Sequence, residues 1–137
     1  MRPNYVVFKE EQFKARVKIC IDIYASELGI IDKTDKTDLP IIVTTRMTNG
    51  LGVYRVRRVG KNIKPFDLRF SHNLLNGQYT LEMVDSIISH EVIHYLCYLL
   101  YSRRCKHGVE FKAMCKKFNC KEDGGSVKTE SYQSNKK

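Results

Sequence analysis

Three of the four histidines in this chain, His90, His94 and His107, are spaced so that they could share one metal ion. The first two enclose His90-Glu91-Val92-Ile93-His94, inside the longest apolar run of the sequence. If residues 81–101 are helical, the 3.6-residue period puts His90 and His94 one turn apart on one face, so both imidazoles reach a single point. Glu91 lies one position round from that face, where a carboxylate can take a proton from a water activated by the metal. A catalytic zinc keeps three protein ligands and leaves the fourth position open, so a third ligand is needed. The candidates are His107 by imidazole and Glu110 by carboxylate. His107 is preferred, because Gly108 lets the backbone turn tightly and residues 109–118 then read as a second helix packing on the first.

Against this chemistry stands the commoner fate of a lone histidine on an apolar helix face, which is to be a hydrogen-bonded core residue. The motif, however, lies on a helix, a third histidine follows at a helix-length interval, and three of only four histidines are used. A histidine six residues beyond His94 with an intervening glycine would mark a metzincin, but those positions hold Leu100 and Cys97. The stretch HEVIH, followed thirteen residues after His94 by HGVEFK, resembles the SprT-like (Spartan-type) metalloprotease domain, whose pattern is HExxH and then His-Gly-x-x-Phe carrying the third ligand. RMTNGLG at residues 46–52 and LRFSHNLL at residues 68–75 are similar to that family's hairpin and to its approach to the active-site helix. The likeness spans about residues 5–120. It implies a small zincin-like domain over residues 1–120, one catalytic zinc on His90, His94 and His107, Glu91 as general base in peptide hydrolysis, and proteins on DNA as substrates.

The elements that must position these residues can be read along the chain. Residues 8–28 predict an amphipathic helix, with Phe13, Val17, Cys20, Ile21, Tyr24 and Leu28 at three- and four-residue spacing and Gly29 as its stop. Residues 30–40 read as a loop ending in Pro40. Three β-branched runs follow, residues 41–47, 52–59 and 66–70, separated by Thr48-Asn49-Gly50 and Gly60-Lys61-Asn62. They predict a three-stranded antiparallel meander. A turn at Asn76-Gly77 leads to Thr80, an N-cap for the central helix, with Glu82 in its first turn. The fold class is therefore α+β: an N-terminal helix, a meander, a central helix carrying HExxH, and a following helix carrying the third ligand. Residues 121–137 predict a poorly ordered polar tail. His72, at a strand end, reads as an exposed residue.

At 137 residues the chain is one domain. Its net charge of +9 is unevenly placed: residues 41–80 hold seven basic residues and one acidic, and residues 103–121 again hold seven and one. Arg55, Arg57, Arg58, Lys61, Lys64, Arg103, Arg104 and Lys106, interleaved with Tyr54 and Phe66, could form a phosphate-binding surface for DNA; a solvated surface is the plain alternative. Tyr54 and Arg57 are candidate oxyanion donors, though nothing in the sequence orients them. Five cysteines with no CxxC pair and no apolar leader predict reduced thiols, Cys20 and Cys97 in the core, in a soluble cytoplasmic or nucleoid-associated protein that is not secreted and has no membrane span. Uneven spacing argues against a structural zinc on Cys105, Cys115 and Cys120. The rival functions are a nucleic-acid-associated zinc module with little hydrolytic activity and a zinc hydrolase of non-peptide amides. Glu91 speaks against the first, since a structural site needs no base.

Overall fold

A short strand, β1 (Tyr5–Val7), leads into the long helix α1 (Glu10–Leu28), which buries Phe13, Val17, Ile21 and Ala25 along a stripe of four-residue steps. Gly29 ends α1 in the left-handed conformation, φ 73°, where its N–H reaches the Ser26 carbonyl at 3.1 Å. The segment expected to be a loop then forms a second helix, α2 (Ile31–Thr37). Ile30 and Thr34 are buried four residues apart, and Asp32 sits in the first turn, so a buried face and a favourable helix dipole outweigh the weak helical preference of Asp and Thr. Lys33 of α2 donates to the Leu99 carbonyl at 3.3 Å. The computed structural model describes residues 5–37, 39–47, 50–103, 105–118 and 120, so the expected tail at 121–137 and most of the Thr48–Gly50 turn lie outside the described residues.

Three strands follow: β2 (Ile41–Thr44), β3 (Gly52–Val59) and β4 (Asn62–Ser71). They are not a meander. Their order is β2-β4-β3, with β2 parallel to β4 and only β3 and β4 joined as an antiparallel hairpin. β2 and β3 flank β4 on opposite sides. The register explains why: Ile41 pairs with Leu68, and Gly52 and Tyr54 pair with Phe70 and Leu68, so all the inward residues share one buried face. The turn expected at residues 76–77 is part of a further strand, β5 (Asn76–Thr80), which pairs antiparallel with β1. A short 3-10 turn, His72–Leu74, connects β4 to β5 and leaves His72 exposed.

The helix α3 (Leu81–Tyr101) runs through the middle of the domain as expected, capped by the Thr80 hydroxyl, which accepts from the Met83 N–H at 3.2 Å. It is apolar on nearly all sides: Val84, Ile87, Ile88, Val92, Ile93, Tyr95, Leu96, Cys97 and Leu99 are buried. Each such side chain contributes about 1.5–3 kcal/mol where it is large and fully enclosed. The last helix, α4 (Val109–Lys117), packs on α3 through Phe111, Met114 and Cys115. Among the described residues the fold is thus mixed α+β with four α-helices, none of them long and apolar enough to cross a membrane.

Candidate metal centre

The position of α3 is fixed from several sides. Arg16 of α1 holds Asp85 in a two-pronged ion pair at 2.6 and 2.8 Å, and Tyr24 shares a 2.8 Å hydrogen bond with Ser89. Burial pushes the Tyr24 phenol up to about 12, so at neutral pH it is a neutral hydrogen-bonding group. These contacts lie on the flank of α3 away from the histidines. On the other flank, the Tyr98 hydroxyl donates to the Ile63 carbonyl next to the turn of the β3–β4 hairpin, and Tyr54 lies 5.9 Å, ring to ring, from Tyr95.

With α3 so held, His90 and His94 project from adjacent turns, their ring centres 4.9 Å apart. His107 closes the group, 5.2 Å from His90 and 4.9 Å from His94. One ligand nitrogen from each falls within 4.8 Å of the others, and the Nε2 atoms of His90 and His107 are 3.3 Å apart. Two nitrogens about 2.0–2.1 Å from a tetrahedral zinc stand about 3.3–3.4 Å apart, so this spacing fits the ion. Exposure rises across the group, from His90 at 1% through a half-buried His94 to an exposed His107, so one side is open to solvent. Glu91 is buried beside His90, at 2% exposure.

His107 comes from the loop between α3 and α4, not from a helix as expected. The loop begins with Ser102 at φ 59° and turns again at Lys106, φ 51°, both non-glycine residues in the left-handed region. A bond from the Gly108 N–H to the Cys105 carbonyl, 3.0 Å, closes the turn that displays His107, and Gly108 then caps α4. Cys105 anchors this loop by its own burial. Burial raises the Cys105 thiol, and burial together with the neighbouring Cys105 raises Cys97, so both are neutral packing groups at physiological pH. Cys97 also lies 3.7 Å from the Met114 sulfur. Of the two cysteines expected in the core, Cys97 is fully buried while Cys20 is only half-buried, and Cys105 and Cys115 take core positions as well. Glu110, the rival ligand, is ion-paired with Arg103 and does not belong to the histidine group.

Phe111 is the residue whose part the sequence did not disclose. It is fully buried and touches all three imidazoles: stacked on His94 at 4.2 Å and 26°, and edge-on to His90 and His107 at 5.0 Å each. Its place four residues after His107, in the HGxxF pattern, is the signal that could have found it. The loop imidazole is thereby held through its ring, on an aromatic floor common to the two helix imidazoles.

The basic residues divide between elements. Arg55, Arg57 and Lys64 share the outer face of the β3–β4 hairpin with Arg69, which is not among the expected contact residues. Arg55 and Arg57 stack over the exposed Phe66, at 4.8 and 5.6 Å. Asp67 accepts both prongs of Arg55 and lies 3.6 Å from Arg69. Arg58 is opposite Ile63 on the other face, and Lys61 is in the hairpin turn. Arg103 and Lys106 belong to the α3–α4 loop, and Arg104 lies outside the described residues. Of the two candidate oxyanion donors, Tyr54 is on the inner face of the sheet, whereas Arg57 is on the face turned away from α3.

Residues 23–132 match the sequence model of the SprT-like family. No curated protein and no solved structure matches the chain.

Proposed function

The chain belongs to the SprT-like family, and from that premise we propose that it is a zinc-dependent metallopeptidase of zincin-like architecture, with His90, His94 and His107 as ligands and Glu91 as general base. The observation that carries the reading is the convergence of three imidazole nitrogens within 4.8 Å beside a buried glutamate on the same helix. Zinc, when bound, supplies Lewis acidity, polarising a carbonyl and making water a better nucleophile near neutral pH. The Glu91 carboxylate takes the proton of the attacking water and passes it to the amine that leaves. His90 and His94 would hold the ion from a rigid helix and His107 from its loop, and the exposed side at His107 leaves room for a peptide to approach. The same donor set would serve a merely structural site, but such a site closes its fourth position and has no use for Glu91.

The proposed substrates are proteins held on DNA. The support is the hairpin's outer face, where Arg57 and Lys64 stand opposite each other and make no ion pair among the described residues, next to an exposed aromatic ring. Both halves are tested by one comparison, wild type against Glu91→Gln, with zinc content measured alongside cleavage of an unfolded protein, free and DNA-bound. The near-isosteric glutamine should keep the zinc and lower turnover by roughly 10²–10⁴-fold. Undiminished turnover would remove Glu91 from the base role, and equal wild-type rates on both substrates would remove the DNA-bound preference.

A further inference from the structure

Gly52, the first residue of β3, is buried against the Glu91 side chain. A methyl group built on it would lie 3.0 Å from Glu91 Cγ, 3.1 Å from Ile87 Cγ2 and 3.3 Å from Phe70 Cδ1. The strand is extended there, so the glycine is required for room and not for an unusual backbone angle. Ile87 and Glu91 are one turn apart on α3, and Phe70 is the direct partner of Gly52 across the hairpin.

Neither apolar neighbour can yield. Phe70 is fully buried and packs edge-on to Phe13 at 5.2 Å, and Ile87 is 1% exposed. The strand cannot retreat easily either, because the Ser71 N–H holds the Leu51 carbonyl at 2.9 Å and Tyr54 packs on Tyr95. The group with rotatable bonds to spare is Glu91. We propose that Gly52 is a positioning residue for Glu91: the bare backbone at the start of β3 forms the wall that seats the Glu91 side chain, and a side chain there displaces the carboxylate. The catalytic consequence rests on Glu91 being the general base; the seat itself does not.

The test compares Gly52→Ala, Glu91→Gln and wild type. Gly52→Ala should keep its zinc and its KM while kcat falls roughly 10- to 100-fold, the scale of a misplaced catalytic group. In crystals of the metal-free variant, Glu91 Cγ should move by at least a few tenths of an ångström while the three imidazoles stay in place. An unmoved Glu91 with full kcat overturns the proposal. A double-mutant cycle of Gly52→Ala with Glu91→Ala, read by unfolding, covers a Gly52→Ala chain that does not fold: truncating Glu91 should restore stability because it makes room for the methyl, and additive losses overturn the seat. Full activity in Glu91→Gln would instead overturn the catalytic consequence, leaving the seat to be decided by the crystal structure and the cycle.

Discussion

Two of the three imidazoles ride on a helix and the third on a loop, and the two arms are held by different physics. His90 and His94 inherit their positions from α3, which is packed on nearly every side and pinned by Arg16–Asp85 and Tyr24–Ser89. His107 stands on a seven-residue connection, 102–108, that includes two non-glycine residues with positive φ, and its ring is placed by contact with Phe111. A helix gives two imidazoles a fixed separation from local geometry alone. A loop can deliver a third only if something outside its own backbone holds the side chain, and here that is an aromatic floor shared with the other two.

Removing one imidazole from each arm should give the largest effect. His90→Ala and His107→Ala should both lower zinc affinity by more than the roughly 100-fold typical of losing an outer partner. They should differ in the metal-free protein: His90 is buried and leaves a cavity, so its variant melts lower with chelator present, whereas the exposed His107 leaves metal-free stability nearly unchanged. Equal melting temperatures would mean the arms are equally rigid. Phe111→Ala comes next. It should cost about 3–5 kcal/mol of stability, measured by denaturant unfolding, and weaken zinc binding because His107 loses its support. Phe111→Leu should recover most of the stability but not the zinc affinity; if it recovers both, the ring contacts are ordinary packing.

A third change lies on neither arm. Arg57→Glu with Lys64→Glu on the hairpin's outer face should leave zinc content and cleavage of a free unfolded protein unaltered. DNA affinity should fall, and its salt dependence should become shallower by about 0.9 for each phosphate no longer neutralised. Loss of both activities together would tie that face to the cleft. The smallest effect is expected in the loop itself. Ser102→Gly relieves a left-handed residue that costs about 1–2 kcal/mol, offset in part by the unfolded-state entropy of glycine, for a net gain of about 0.5–1 kcal/mol in thermal unfolding.

What the sequence revealed follows the same division. The span of α3, its Thr80 cap and the strand Gly52–Val59 were legible because each has a local signature: an apolar run, a capping side chain, alternation. The parallel pairing of β2 with β4, and the strand pair that joins residues 5–7 to residues 76–80, were not, because partners so distant leave no mark in either segment. The helix α2 was missed because its Asp and Thr composition pointed to a loop while its burial pattern was set by α1 and α3. At the site, His107 could be chosen over Glu110 from Gly108 and the helical pattern of residues 109–118, but the work of Phe111 and the closeness of Gly52 to Glu91 are facts of packing.

The aromatic floor also makes the centre observable by magnetic resonance. The His94 imidazole lies nearly parallel over Phe111, so its carbon-bound protons sit in the shielding cone of the phenyl ring current and move upfield. His90 and His107 meet that ring at 70° and 78° and sample other parts of the same field. The three clustered histidines should therefore give separate imidazole signals in a proton spectrum, with exposed His72 as an internal reference, and titrating zinc into the protein should move all three together if they share one ion.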